Sequence, residues 1–248
     1  MILALIIFAV VVAGSTLQRV SGMGLGLIGG PILMLVMGPV EGILVINVLA
    51  AVNALLTTVT VRRNVSWRMF GLIAPVMIIG SLAAAALISK IDTAGLLIVV
   101  GAALLIALAV VTYGARFVPP MEGKGPAISA GILGGFTNTL AGVAGPVITV
   151  YAQAAKWPQA MYTATLQPIF VVGGLFSVIT KTALGTAIFD GLPWVIWPAG
   201  IAGMFIGIWL GSRIAHIVSR DIARALSLSV ASLGALSALI RGVVTYGA

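Results

Sequence analysis

Long apolar runs separated by short polar breaks make up most of the chain. Six of the runs hold the roughly 20 residues that an α-helix needs to cross about 30 Å of hydrocarbon. Two further runs, 2–38 and 127–156, are apolar but interrupted by glycines. The pattern therefore predicts an all-α, polytopic helical bundle in a membrane. The six uninterrupted runs cover residues 40–61, 69–89, 94–114, 159–180, 192–212 and 222–242.

The composition supports a membrane protein and excludes several other classes. Of the 248 residues, 61% are hydrophobic and 7% are charged, whereas a soluble domain carries about 25% charged residues. Cysteine is absent, and there are one histidine and five acidic residues, so we expect no disulfide, metal site, cofactor or catalytic group. The net charge of +8 fits basic cytoplasmic loops better than nucleic-acid binding. The first run lacks a basic start and a cleavage site, which favours a retained membrane segment over a signal peptide.

The two halves of the chain resemble each other. "GLIGGPILMLV" in the first half matches "GVAGPVITVYA" in the second, with Gly30-Pro31 aligned to Gly145-Pro146, 115 residues apart. "PVMIIGSLAAAALISKI" and "PAGIAGMFIGIWLGSRI" form a second match in the same order. We interpret the halves as repeats. The expected parts are a first membrane repeat at 1–114, a cytoplasmic linker at 115–126 and a second membrane repeat at 127–248.

The distribution of basic residues indicates how the halves are oriented. If 2–38 and 127–156 each cross the membrane once, seven loop cations lie inside and five outside. If each forms a helical hairpin that enters and leaves at one face, nine lie inside and three outside, which satisfies the positive-inside rule better. Each half then holds one hairpin and three spans, an odd number of crossings, so the second repeat is inverted relative to the first. The three outside cations are Lys90, Lys181 and Arg241.

The densest glycine segment is "GMGLGLIGGP", from Gly22 to Pro31. It contains the G-x-G-x-x-G spacing of dinucleotide-binding turns, but no acidic residue follows about 20 positions later, where such a turn needs one. Gly-Pro at 30–31 and 145–146 instead predicts helix restarts, because proline suits the first helical position. Two half-helices would then direct their free N–H groups at an anion in the middle of the protein.

These motifs resemble the sulfite exporter TauE/SafE family of bacterial membrane permeases. The resemblance rests on "SGMGLGLIGGPIL" in the first half and "GGFTNTLAGVAGPVITVYAQAAKWP" in the second, and it extends over nearly the whole chain. It implies transport, often export, of sulfite, organosulfonates or related sulfur-containing anions. Unlike many relatives, the chain has no arginine at Met161-Tyr162-Thr163, which leaves the choice of anion open.

Polar groups and glycines near the two breaks are the candidate substrate-binding residues, because polar side chains are costly inside a membrane. Each polar candidate has an alternative role as a hydrogen bond between helices. Arg19 has two interpretations: its guanidinium binds an oxyanion, or it caps the hairpin at the cytoplasmic surface. The candidates are Arg19, Ser21, Gly22, Gly24, Gly29, Gly30, Asn47, Asn53, Asn138, Thr139, Gly142, Gly145, Tyr151 and Gln167.

The sequence therefore predicts a secondary transporter, an exporter of small sulfur-containing anions that works by alternating access. We expect it in the bacterial inner membrane, with a small anion and the lipid bilayer as its partners, and its oligomeric state stays open. The acidic residues lie at span ends or in loops, so electrogenic efflux is favoured over proton coupling. The alternatives are a membrane-embedded accessory or assembly subunit without transport of its own, and a sodium-linked carrier. An enzyme is the least favoured class.

Overall fold

The protein is helical throughout the residues that the computed structural model describes, which are 1–113, 119–121, 123–187 and 189–247. Apolar runs form the helices, because a helix satisfies its backbone hydrogen bonds within the segment inside a membrane, and glycine, proline and polar residues separate them. A short 3₁₀ turn, Arg62–Asn64, follows α3. The α-helices in these ranges are α1 Ile2–Ser21, α2 Leu25–Met37, α3 Pro39–Val61, α4 Trp67–Ile73, α5 Met77–Ile88, α6 Thr93–Tyr113, α7 Lys124–Ala141, α8 Gly145–Ala154, α9 Gln159–Ala183, α10 Ile196–Ile214 and α11 Arg220–Tyr246.

Six helical stretches of the described residues are long and apolar enough to cross a membrane. Five of them correspond to predicted runs. The sixth is α1, whose 20 residues reach about 30 Å, so the first arm of the expected hairpin is long enough to cross by itself. The predicted run 192–212 forms α10. The six stretches are Ile2–Ser21, Pro39–Asn64, Trp67–Ile88, Thr93–Tyr113, Gln159–Ala183 and Arg220–Tyr246.

Helices α1 and α2 form a hairpin around a glycine in the left-handed conformation. Gly22, at φ 87°, ends α1, and its N–H donates to the Gln18 carbonyl. Helix α2 then returns along α1, since Gly14 lies against Leu25 and Gly29 lies near Val10. A side chain at Gly22 would be strained by the backbone conformation alone.

Helices α7 and α8 form the corresponding hairpin in the second half. Gly142, at φ 73°, ends α7 and donates its N–H to the Asn138 carbonyl. Helix α8 starts at Gly145 with Pro146 in its first turn, as the sequence predicts. Gly134 of α7 lies against Ile148 of α8, so this hairpin also closes on itself.

The predicted restart at Pro31 is wrong. Helix α2 begins six residues earlier, at Leu25, and Pro31 lies inside it. The helix can start there because Gly22 has already turned the chain and the Gln18 side chain accepts the Leu25 N–H. The two breaks at Gly22 and Gly142 are therefore 120 residues apart, not the 115 that the Gly-Pro alignment suggested.

Glycines let the hairpins pack closely against neighbouring helices. Helix α10 runs beside α1, and its Gly207 faces the Val12 carbonyl and the Thr16 amide of α1. Helix α5 runs beside α7 in the same manner, and its Gly80 faces the Ile132 carbonyl and the Phe136 amide. Helices α3 and α9 lie antiparallel between these two pairs. The fold thus encloses both hairpin breaks in protein.

Among the described residues, nine basic residues lie at one end of the bundle, which we call the basic end. Hydrogen bonds join the helix termini there: Arg19 donates to Thr60 and to Ser212, and Arg224 donates to the Val111 carbonyl. Lys90 and Arg241 lie at the opposite end, where Arg241 donates to a carbonyl at the end of α2. The nine residues are Arg19, Arg62, Arg63, Arg68, Lys124, Lys156, Arg213, Arg220 and Arg224.

Two sequence predictions fall partly outside the described residues. Of the expected linker at 115–126, residues 115–118 and 122 are not described. This gap contains Arg116, which was one of the expected inside cations. Helix α7 begins at Lys124, so the last three linker positions belong to the second hairpin.

Candidate functional site

A small cavity of about 30 Å³ lies where the two hairpin breaks meet. Its polar side chains are Gln18 of α1, Asn47 of α3 and Asn138 of α7, and Phe170 of α9 adds an apolar wall. Glycine backbone covers much of the remaining surface. The cavity has room for about one water molecule, and no charged side chain of the described residues lines it. We call it the central cavity.

Two amide pairs hold the walls of the central cavity together. Gln18 Nε2 donates to Gln167 Oε1 at 3.0 Å, and Asn138 Nδ2 donates to Asn47 Oδ1 at 2.9 Å. Both pairs are buried, and each joins the last turn of a hairpin's first helix to a long helix of the other half. Asn47 Nδ2 also donates to Ser177 Oγ at 2.9 Å. The amides are therefore largely satisfied by each other.

The two pairs have the same spacing as the two breaks. Gln18 and Asn138 are 120 residues apart, and so are Asn47 and Gln167. Each first-helix amide lies four residues before the left-handed glycine that ends its helix. The polar framework of the cavity consequently has the same form in both halves.

Helices α2 and α8 both begin at the central cavity, so that their N-termini face it. Gly24 and Gly26 contribute the start of α2, while Ala144 and Gly145 contribute the start of α8. The first turn of a helix carries N–H groups without intrahelical partners and a partial positive charge. The helices have 13 and 10 residues, long enough for this effect. The cavity thus favours a negative charge without a cationic side chain.

The glycines between Gly22 and Pro31 serve mainly to bring backbones together. A Cβ on Gly26 would lie 2.5 Å from the Gly142 carbonyl oxygen, and one on Gly30 would lie 2.8 Å from the Ala141 carbonyl oxygen. A Cβ on Gly29 would overlap Ile46, so Gly29 and Gly30 lie beside the cavity and do not line it. The two hairpins contact each other at their breaks because Gly26 and Gly30 lack side chains.

Two polar vestibules open at the basic end and lead towards the central cavity. One, of about 270 Å³, is lined by Ser21, Met23, Tyr162, Arg220 and Arg224 among others. The second, of about 220 Å³, contains Arg19, Gly22, Thr57, Gln167 and Arg220 among its walls. We call them the Tyr162 vestibule and the Arg19 vestibule. Asp221 also lines the Tyr162 vestibule, but the arginines of the two vestibules outnumber it and would concentrate anions near the cavity.

A single residue layer separates each vestibule from the central cavity. Met23 lines both the Tyr162 vestibule and the cavity, and its sulfur accepts hydrogen bonds from Thr149 at 3.2 Å and Tyr162 at 3.5 Å. Gln18 lines both the Arg19 vestibule and the cavity and is held by Gln167. Both barriers are thus fixed by hydrogen bonds to helices of the second half.

The remaining candidates lie away from the central cavity. Arg19 is held at the basic end by Thr60 and Ser212, at 3.1 Å each, and faces its vestibule. Asn53 and Thr139 are buried, and each has a side-chain oxygen without a hydrogen-bond partner among the described residues. Tyr151 stacks edge-on with Trp157 and lines an apolar groove of about 690 Å³.

Two residues outside the list of candidates close the central cavity. Gln18, a polar residue that the sequence does indicate near the first hairpin turn, closes it on one side, and Met23 closes it on another. The 120-residue spacing of Gln18 and Asn138 would have strengthened the case for Gln18, but the Gly-Pro alignment obscured that spacing. Met23 gave no signal, because a methionine in an apolar run is ordinary.

Comparison with known protein families gives a match over nearly the whole chain. The sulfite exporter TauE/SafE family matches the chain over residues 6–238. The chain belongs to this family. It is accordingly a multi-pass membrane protein of a family of transporters for sulfite and related sulfur anions. No curated protein and no solved structure matches it.

Proposed function

We propose that this TauE/SafE protein is a secondary transporter that exports a small sulfur-containing anion across the inner membrane. The observation that carries the proposal is the central cavity, where two helix N-termini and three buried amides, Gln18, Asn47 and Asn138, surround one small space. A sulfite or sulfonate group needs several hydrogen-bond donors around a compact negative charge. N–H groups and amides supply such donors without a fixed cation, which would hinder release.

The proposed binding residues are those at the cavity wall and its amide partners. Asn47 and Asn138 would turn amide N–H groups towards the anion, and Gly24, Gly142 and Gly145 would let it reach the backbone. Gln18 and Gln167 would bind it on the side of the Arg19 vestibule. Arg19, Ser21 and Gly22, which line the vestibules, would guide the anion to the cavity.

The small volume of the central cavity supports the interpretation that the structure represents a closed state of the transport cycle. A space of about 30 Å³ holds roughly a water molecule, so a larger oxyanion requires the walls to separate. The vestibules at the basic end indicate where they separate first. By the positive-inside rule this end is cytoplasmic, and the anion would enter from there.

Alternating access would come from two inverted repeats, residues 1–114 and 127–248, with a cytoplasmic linker at 115–126. Equivalent contacts in the two halves support this. Gly207 of α10 faces atoms of residues 12 and 16, and Gly80 of α5 faces the same backbone atoms of residues 132 and 136. The contacted residues 12 and 16 are each 120 positions before 132 and 136, which is also the spacing of the two hairpin breaks. Rocking of one repeat against the other would open the cavity to either end.

Thermal unfolding of the purified protein in detergent is the first test. The panel holds potassium salts of sulfite, sulfate, thiosulfate, taurine, sulfoacetate, chloride and acetate. A bound anion at 100 times its dissociation constant stabilises the folded state by about 2.7 kcal/mol. We expect one sulfur anion to raise the melting temperature and Asn138→Leu to abolish that rise. The matched control is Thr58→Val, which removes a hydroxyl that bonds only to its own helix.

Flux in proteoliposomes distinguishes the proposal from its alternatives. Saturable movement of the stabilising anion by the purified chain supports a transporter. Stabilisation by sodium chloride but not by potassium chloride would favour the sodium-linked carrier. Absence of flux with every anion of the panel would favour the accessory-subunit alternative and refute the proposed function.

A further inference from the structure

Lys181 is a buried cation that the proposed central site does not use. It lies in α9, two residues before the helix ends, and its side chain is 0% exposed. Its Nζ has no hydrogen-bond partner within the described part of the chain. The sequence predicted Lys181 as a loop cation on the outside; the loop position is wrong, because α9 extends beyond Lys181 and neighbouring helices cover it. A buried ammonium without a partner is strongly unfavourable, so its presence requires a reason other than stability.

A polar path connects Lys181 with the central cavity. Lys181 lies one helical turn beyond Ser177, on the same side of α9. Ser177 Oγ accepts a hydrogen bond from Asn47, which lines the cavity. Glu41, in the first turn of α3, lies at the same end of the bundle as Lys181. The path therefore leads from the cavity to the end opposite the basic end, between α3 and α9.

The 120-residue spacing gives Lys181 a counterpart in the first half. It relates Ser177 to Thr57 and Lys181 to Val61. Thr57 and Val61 both line the Arg19 vestibule, beside Gln18 and Gln167. Val61, the counterpart of Lys181 in the first half, thus forms part of the wall of the Arg19 vestibule, which is open.

We propose that Lys181 is the anion-binding residue of a second vestibule, at the end opposite the basic end. This vestibule is closed in the present structure and forms when α3 and α9 separate there, which uncovers the ammonium. Its ligand is the same class of small sulfur oxyanion, received from the central cavity before release. The inference rests on the proposed function, because it assumes the alternating-access cycle of an anion transporter.

Side-specific transport kinetics test the role of Lys181. Radiolabelled sulfite is offered to proteoliposomes of known orientation, first from the basic end and then from the opposite end. We expect Lys181→Met to raise the half-saturating sulfite concentration about tenfold from the opposite end, the size of a lost charge-assisted hydrogen bond. From the basic end the value should stay unchanged. Lys181→Arg should recover most of the loss, and the matched control Lys90→Met, an exposed lysine at the same end, should behave as wild type.

Two further readouts separate a transport role from a structural one. Lys181→Met should melt no lower than the wild-type protein, since it removes an unpaired buried charge. In the cysteine-free chain, Lys181→Cys should react with a membrane-impermeant thiol reagent added at the opposite end and not with reagent added at the basic end. A markedly lower melting temperature, or labelling from the basic end alone, would overturn the assignment.

The outcomes distinguish this inference from the proposed function. If wild-type liposomes carry sulfite and Lys181→Met matches them from both sides, the second vestibule is refuted and the transporter stands. If wild-type liposomes carry no sulfite, the proposed transport of sulfite fails, and the role of Lys181 fails with it.

Discussion

Gln18 Nε2 donates a buried hydrogen bond to Gln167 Oε1 across the two halves of the chain, at 3.0 Å. The bond has a counterpart 120 residues away, where Asn138 donates to Asn47 at 2.9 Å. In both cases the donor is four residues before a helix-ending glycine and the acceptor lies on the long helix of the opposite half. The pairs hold each hairpin break at a fixed place against that helix, so their loss should affect stability and transport together.

Gln18→Leu should lower the free energy of unfolding by about 1–3 kcal/mol, because Gln167 and the Leu25 N–H both lose a buried partner. The measurement is chemical unfolding in mixed detergent micelles. Adding Gln167→Leu should cost less than the sum of the single changes, since the two residues share one bond.

The control for this experiment is Thr58→Val, whose hydroxyl bonds only to the Ala54 carbonyl of its own helix. Its effect should be about 0.5 kcal/mol or less. Strict additivity of Gln18→Leu and Gln167→Leu would show that the pair is not coupled.

Gly26→Ala should abolish anion flux and lower stability, because the new methyl group would lie 2.5 Å from the Gly142 carbonyl and force the hairpins apart. Flux in proteoliposomes and the melting temperature report both effects. Gly71→Ala is the matched control: it lies within α4 with no atom near the added methyl group. It should leave flux unchanged and stabilise the helix slightly. Normal flux in Gly26→Ala would refute the close contact of the breaks.

The sequence predicted the helices well because membrane crossing imposes a strong and simple pattern. A run of about 20 apolar residues has few alternatives to a helix, and α3, α6 and α9 follow the predicted runs closely. The positions of both breaks were also visible as glycine-rich segments. What the pattern could not give was the residue at which the first break occurs, since α2 starts at Leu25 and not at Pro31.

The register of the two halves was the main error, and it has a physical reason. Gly30-Pro31 and Gly145-Pro146 are similar in sequence, but Pro31 is accommodated within α2 whereas Pro146 begins α8. The glycines that end α1 and α7 in the left-handed conformation are Gly22 and Gly142, and this backbone conformation is not visible in the sequence. Burial of Lys181 was equally hidden, since a lysine near a helix end usually reaches water.

Met23→Ala should open a direct path between the Tyr162 vestibule and the central cavity. Met23 separates the two spaces and is held by Thr149 and Tyr162. A cysteine at Ala50, which lines the cavity, reports access because the chain has no other cysteine. We expect Met23→Ala to increase its rate of thiol labelling several-fold.

Met34→Ala is the control for that labelling experiment, since Met34 is equally buried on α2 but does not line the cavity. It removes similar volume from the core without removing the barrier. If both substitutions accelerate labelling alike, general loosening of the bundle explains the effect and Met23 is not a specific barrier.

Cysteine accessibility tests the orientation of the bundle. Lys156→Cys and Arg213→Cys lie at the basic end and should react with an impermeant reagent only when the cytoplasmic side is exposed. Lys90→Cys lies at the opposite end and should react in intact cells whose outer membrane has been permeabilised. The reason is the excess of basic residues at one end, which stays in the cytoplasm. The reverse labelling pattern would invert the proposed direction of transport.

Export of the anion should depend on membrane potential. No acidic side chain of the described residues lines the central cavity, so the anion would cross with its charge uncompensated by a bound proton. A potential of 100 mV, inside negative, contributes about 2.3 kcal/mol per charge, or about 4.6 kcal/mol for a dianion. Proteoliposomes with potassium and valinomycin set this potential, and efflux of the stabilising anion should accelerate as the interior becomes more negative. Efflux that does not change with the potential but changes with a pH gradient would instead show proton coupling through groups outside the cavity. Glu41, in the first turn of α3, is the acidic candidate for that role.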